Sequence, residues 1–220
     1  MDKKKKIILG WIRIVFGLLI FSLGVHLTIR ANLGLAPWDC FGMGISYHTP
    51  LNYGLSMTTM AVIILGIDIL MKEKIGFGTI IDSLLTGNLV QMFNDIDPFP
   101  ETKGKIAGVL IILAGLALMA VGMYFYMGSG QCCGPRDALL VALGKRLKKL
   151  PIGAVQVMLL GTVLIIGWLL GGPIGIGTIV STFGSGIVMQ FVFSLLKFEP
   201  RDVQHQGVVE TAKLLFSGSD

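Results

Sequence analysis

A few side chains could do polar chemistry in a chain that is otherwise mostly apolar: Asp39, Asp82, Asp137, Arg136, Asn88, Gln91, Gln190 and Trp38. All lie within or beside long apolar stretches, where an ionisable group is costly unless paired, hydrated or used. Carboxylates and a guanidinium in that setting suit two tasks, carrying a proton or holding the charge of a small solute. The sequence shows no Ser–His–Asp set, no metal-ligand spacing and no nucleotide-binding loop. It therefore points away from an enzyme and requires no metal or cofactor. Cys40, Cys132 and Cys133 are odd in number and show neither disulfide nor zinc spacing. They read as small buried or interfacial residues.

Two of the acids form a matched pair. Gly134-Pro135-Arg136-Asp137 stands 98 residues after Ala36-Pro37-Trp38-Asp39, and at the same offset Gly17 meets Gly115 and Gly24 meets Gly122. Downstream the offset becomes 99. Gly54 meets Gly153, Gly87 meets Gly186, Gln91 meets Gln190, and the run Ile75-Gly76-Phe77-Gly78-Thr79-Ile80 meets Ile174-Gly175-Ile176-Gly177-Thr178-Ile179. Matches of Gly, Pro, Asp, Thr and Gln in order, with one single-residue shift, mark an internal duplication.

The elements that position these residues follow from composition. At 53% hydrophobic and 14% charged residues, with a mean hydropathy of +0.78, the chain lies outside the range of soluble domains. About 20 apolar residues cross a bilayer as a helix, and six segments qualify: 7–29, 51–71, 76–94, 105–128, 152–171 and 173–195. The first apolar run is too long for a signal peptide and lacks a cleavage site. The net charge of +5 does not imply nucleic acid, because its placement follows the membrane. Lys3 to Lys6, Lys72, Lys74, Lys145, Arg146, Lys148, Lys149, Lys197, Arg201 and Lys213 share one side if both termini are cytoplasmic. Lys103 and Lys105 fall opposite, with Arg30 at that boundary. The expected organisation is a basic anchor over 1–6, a membrane domain over 7–196 and a cytoplasmic tail over 197–220. Within the membrane domain, repeat one covers about 11–93 and repeat two about 107–192.

Several residues have plain structural readings. Arg13 sits close enough to Lys6 to snorkel to the headgroups, and His26 reads as an interfacial polar residue. Asp68, close to Lys72 and Lys74, reads as an interfacial acid. Pro37 and Pro135 suit the first position of short helices, about 37–47 and 135–147. One reading of Asp39 and Asp137 is as first-turn acids favoured by the helix dipole alone. The Gly-x-Gly-Thr turns can serve close helix packing, and Gln91 and Gln190 can pair between helices. The working alternative is that the breaks around Gly34 and Gly134 approach each other. Asp39, Asp137, Asp82 and Arg136 would then share one dehydrated region, with Arg136 neutralising one acid and another carrying a proton.

Three spans per copy turn the chain over, so the second copy enters the membrane inverted. The expected fold is an all-α polytopic membrane protein, six spans in two inverted three-span repeats, each with a short broken or interfacial helix. At this point the chain resembles the YczE/YyaS/YitT group of bacterial membrane proteins. The residues that carry the likeness are Asn32-Leu33-Gly34 with Pro37-Trp38-Asp39, then Gly134-Pro135-Arg136-Asp137 and the Gly-x-Gly-Thr turns, over about 8–197. It is most similar to the YczE-like branch, without the soluble C-terminal domain of many YitT-like members. The resemblance implies a bacterial inner-membrane transporter or exporter and supplies no site residues. Two other readings stay open here: a membrane scaffold or accessory protein, homo-oligomeric or bound to a partner, and the substrate-binding subunit of an energy-coupled transporter. The duplication argues against the last.

Overall fold

The computed structural model describes residues 3–99, 102, 104–131, 134–199, 203, 207–208 and 211, with the backbone alone for 3–7. Cys132, Cys133, Lys103, Arg201, Lys213 and most of the expected tail lie outside the described residues. The described residues form helices and no strands: α1 (Lys3–Arg30), α2 (Pro37–His48), α3 (Tyr53–Leu70), α4 (Phe77–Ile96), α5 (Lys105–Met127), α6 (Pro135–Arg146), α7 (Ile152–Leu169) and α8 (Ile176–Leu195).

Local chemistry sets the starts. Pro37 and Pro135 occupy the first turns of α2 and α6, where a missing N–H costs nothing. The Asn52 side chain caps α3 by accepting from Leu55 N–H at 2.8 Å. α4 and α8 begin alike. Thr79 Oγ1 accepts from Gly76 N–H at 3.2 Å, and Thr178 Oγ1 accepts from Gly175 N–H at 3.1 Å. These hydroxyls satisfy glycine N–H groups just before each helix.

Five helical stretches are long and apolar enough to cross a membrane: Ile8–Arg30, Tyr53–Leu70, Lys105–Met127, Ile152–Leu169 and Ile176–Leu195. α4 is the exception to the six expected. It is 20 residues long, but Asp82, Thr86, Asn88, Gln91, Asn94 and Asp95 lower its hydropathy.

The centre is the crossing of α1 and α5. A Cβ on Gly17 would lie 2.7 Å from Gly122 O, and one on Gly122 would lie 2.6 Å from Gly17 O. Gly24 and Gly115 repeat the arrangement at 2.6 and 2.7 Å. The pairing of 17 with 122 and 24 with 115 makes the two helices antiparallel. Around this crossing α4 packs on α1, α8 on α5, α2 on α7 and α3 on both α4 and α6. Ile14, Leu18 and Ile112 are completely buried along it.

The two Gly-x-Gly-Thr turns plug into the opposite copy's break. Gly78 N–H donates to Gln131 O at 3.1 Å, and Gly177 N–H donates to Leu33 O at 2.7 Å. Leu35 N–H also donates to Pro173 O at 3.0 Å. Breaking α1 and α5 frees carbonyls from helix bonding, and the helix starts of α4 and α8 satisfy those of Gln131 and Leu33. Asn32 at φ 50°, Gly34 at φ 103° and Gly130 at φ 73° form these breaks. Gly177 has no room for a side chain, since a Cβ would lie 2.8 Å from Gly34 O.

Three side chains read as interfacial or snorkelling are engaged within the protein. His26 is buried rather than interfacial, with Nδ1 2.7 Å from Asn94 Oδ1. Asp68 is fully buried and its carboxylate has no hydrogen-bond partner among the described residues; α2, α4 and α6 pack on its helix. Arg13 leans over the Tyr124 ring at 5.1 Å. The end of α6 is tied down too, by Lys145 Nζ to Glu73 Oε2 at 2.6 Å.

Replacing Gly122 by Leu should therefore destabilise the protein by ~1–3 kcal/mol or more, by overpacking against a backbone carbonyl. Gly161→Leu, where a Cβ would meet nothing within 4 Å, serves as the control. Thermal melting in detergent checks both, and equal melting temperatures would remove the crossing from its central place.

Candidate functional site

Beside the crossing lies a cavity of about 260 Å³, continuous in its lining with a second of about 150 Å³. Both share Phe21, Trp38, Met119, Arg136, Leu160 and Ser185 as walls. These residues pair by the duplication: Phe21 with Met119, Trp38 with Arg136, and Ser185 with Thr86, which lines the larger cavity. The smaller cavity holds Pro37, Asp39 and Ser181 where the larger holds Pro135, Asp137 and Asp82. The two are counterparts, one richer in acid.

Asp137 comes from the first turn of α6 and Asp82 from the second turn of α4, and they converge on Gly134. A Cβ there would lie 3.1 Å from Asp82 Oδ2, 3.5 Å from Asp137 Oδ2 and 4.0 Å from Tyr126 Oη. Glycine at this position lets the two carboxylates close on the backbone. Asp82 is further held by the Thr86 hydroxyl one turn on. Asp39 is buried at 5% exposure and accepts from Tyr53 Oη at 2.9 Å. That bond binds α2 to the start of α3.

Arg136 lies among these acids without an ion pair to any of them among the described residues. Its guanidinium stacks over the Trp38 ring at 5.2 Å, with Nη2 3.8 Å from Met57 Sδ. Its charge nevertheless acts on Asp39, Asp82 and Asp137. The expected ion pair of Arg136 with one acid is not formed among the described residues. The reason is geometric: Trp38, its counterpart in the duplication, offers the face on which the guanidinium settles.

Of the residues singled out by sequence, Asp39, Asp82, Asp137, Arg136 and Trp38 meet at these cavities. Asn88, Gln91 and Gln190 do not. Asn88 is exposed and donates to Thr58 Oγ1 at 3.3 Å. Gln91 accepts from Gly54 N–H at 3.1 Å and donates to Asp95 at 2.7 Å. Gln190 is exposed. Sequence reasoning missed Gln156, Tyr53, Thr86 and the methionines Met57, Met119, Met123 and Met189. Gln156 carried a readable signal, because it is a lone amide within an apolar span. The methionines carried none, being apolar residues among apolar residues.

Comparison with known proteins adds a lineage. The chain is 30% identical over 192 residues to the Bacillus subtilis "Uncharacterized membrane protein YczE", covering 86% of this chain and 87% of that one. An "Uncharacterized protein" of Haemophilus influenzae is 27% identical over 183 residues, covering 83% of each. The Bacillus subtilis "Uncharacterized protein YyaS" is 26% identical over 183 residues, covering 82% and 90%. No solved structure matches the chain. Residues 8–194 match the profile described as "Family of unknown function (DUF6198)", a stretch that contains both breaks, both Gly-x-Gly-Thr turns and all the cavity acids. The chain is a membrane protein and belongs to that family.

Proposed function

We propose that this protein is a secondary transporter of a small amphipathic cation in the bacterial cytoplasmic membrane, working by alternating access. The convergence of Asp82 and Asp137 on Gly134, inside a cavity otherwise walled by methionine and aromatic side chains, carries this reading. Asp39, Asp82 and Asp137 outnumber the single guanidinium of Arg136, so a cationic solute offsets their charge. Met57, Met119, Met123 and Met189 give a polarisable, adaptable surface for an apolar body of variable shape. A cation entering here competes with Arg136 for the Trp38 face and for the acids. A proton does the same at the carboxylates, which offers a way to couple solute movement to a proton gradient.

The fold proposed for this task is six spans in two inverted copies, with α4 as the polar sixth. Three observations support it: the antiparallel run of α1 and α5, the reciprocal insertion of each Gly-x-Gly-Thr turn into the other copy's break, and the paired lining of the two cavities. Both termini are placed in the cytoplasm. The Lys145–Glu73 pair puts the ends of α3 and α6 together, and these ends carry Lys72, Lys74, Lys145, Lys148 and Lys149 of the inner set. Arg30 and Asp97, paired at 2.8 Å, mark the other end.

Purified protein in liposomes should accumulate tetraphenylphosphonium against an imposed pH gradient, and binding should weaken as pH falls because protons compete for the acids. Asp82→Asn and Asp137→Asn should each weaken that binding by about tenfold, equivalent to ~1.4 kcal/mol. Binding and flux unchanged in both variants, or absent from the native protein, would sink this reading. Tyr53→Phe makes a different demand: stability should fall by ~1–3 kcal/mol as buried Asp39 loses its donor, whereas loss of tetraphenylphosphonium binding at full stability would move Asp39 from a structural to a ligand role. A cysteine placed at exposed Lys148 should resist impermeant maleimide added outside whole cells. External labelling there would overturn the orientation.

A further inference from the structure

The two copies differ most where α3 and α7 face their partners. α3 lies along α4, whereas α7 and α8, at the matched positions, share no comparable packed face. In the first seam Gly54 and Gly87 press together. A Cβ on Gly54 would lie 2.7 Å from Gly87 O, and one on Gly87 would lie 2.5 Å from Gly54 O. Gln91 Oε1 accepts from Gly54 N–H at 3.1 Å, and Asn88 Nδ2 donates to Thr58 Oγ1 at 3.3 Å.

The second copy has the same surfaces, unused. Gly153 and Gly186, the counterparts of Gly54 and Gly87, would each place a Cβ with nothing within 4 Å. Gln190, the counterpart of Gln91, is exposed. Val157 and Ile187, at the positions of Thr58 and Asn88, are 70% and 72% exposed. Bare glycine backbone on facing helices is what permits close contact in a membrane. Gly153 N–H is also a first-turn donor that no intrahelical carbonyl reaches, as Gly54 N–H is in the seam that is shut.

We propose that α7 and α8 close on each other by the contact α3 and α4 hold, and that their separation here is the open state of a gate between the cavity and the bilayer. This rests on the inverted duplication proposed above and not on the identity of the solute. The cavity wall on this side is Gln156 and Leu160 of α7 with Ser185 and Met189 of α8, so the parting of these helices faces acyl chains. The residue exchange explains which seam opens. Parting α3 from α4 would break the Thr58–Asn88 and Gly54–Gln91 bonds in surroundings poor in water, which is costly. Val157 and Ile187 lie against lipid at no such cost. α7 is held by α2 and α8 by α5, so closure moves helix pairs rather than single helices.

Disulfide trapping in membrane vesicles tests the gate, with Cys132 and Cys133 replaced by Ser. Thr58→Cys/Asn88→Cys should cross-link rapidly under a mild oxidant, and this also reports that the fold is intact. Val157→Cys/Ile187→Cys should cross-link more slowly but progressively, as closures are captured, with the linked peptides identified by mass spectrometry. Absence of that second link after the first is complete would overturn the gate. The lateral opening is read separately, by bimane attached to Ser185→Cys or to Thr86→Cys in vesicles of doxyl-labelled phosphatidylcholine. The label at 185 should be quenched far more than the label at 86, and equal quenching would overturn the route to the bilayer. A missing link with tetraphenylphosphonium transport intact would remove the gate and leave the transporter; a link without transport would do the reverse.

Discussion

Everything else in this protein hangs on two glycine-to-backbone contacts between α1 and α5. Helices in a bilayer gain little from hiding apolar surface, since lipid is as apolar as leucine, and close packing has to take its place. Gly17 against Gly122 and Gly24 against Gly115 bring the two backbones into direct contact. Each pair maps onto the other when the copies are exchanged. The crossing is therefore a self-complementary joint, and the same sequence feature supplies both of its sides. Once it forms, the breaks that follow α1 and α5 are carried to opposite sides of the cavity. The turns that open α4 and α8 are then within reach of them.

That reach solves a problem the breaks create. A chain that leaves helical geometry at Asn32 and Gly130 frees carbonyl groups that the helix would otherwise have bonded. Here Leu33 O and Gln131 O receive the N–H groups of Gly177 and Gly78, one from each copy to the other. Neither copy can satisfy itself in this way. The duplication thus functions as a mutual requirement, and the irregular backbone that lines the cavity is held by regular helix starts. Flexible loops would not hold Asp82 and Asp137 so close, because their mutual repulsion would separate them. Gly134, with no side chain in the way, lets both carboxylates approach, and Thr86 bonds to Asp82.

Much of this was legible in the chain, for a definite reason. Gly, Pro and Asp at a fixed offset record backbone constraints, and backbone constraints survive translation into structure. Pro37 and Pro135 marked the short helices to within a residue, and the matched Thr79 and Thr178 marked the starts of α4 and α8. Side-chain environment was harder to read. Asp68 and His26 looked interfacial because their neighbours in sequence are polar or terminal, yet neighbouring helices bury both. Asn88 and Gln91 were candidates for the site, and Gln91 also for pairing between helices, which is what its bond to Gly54 does. Their positions turn them toward α3 instead, and which face of α4 meets α3 is decided by Gly54 and Gly87.

The same logic explains why a symmetric plan yields an unsymmetric molecule. Exchange of the copies maps Trp38 onto Arg136, and the pair sits face to guanidinium across the shared wall of both cavities. Had both positions been arginine, two cations would meet there; had both been tryptophan, nothing would balance the acids. One of each places a single charge between Asp39 on one side and Asp82 with Asp137 on the other. Ser181 stands where exact symmetry would put a further acid, and its buried hydroxyl has no partner among the described residues. The acid-rich cavity is walled by residues of the shut α3–α4 seam on one side and by α7 and α8, which do not pack on each other, on the other. Charge asymmetry and packing asymmetry therefore meet at one cavity, with Asp82 on the packed side and Gln156 and Met189 on the other.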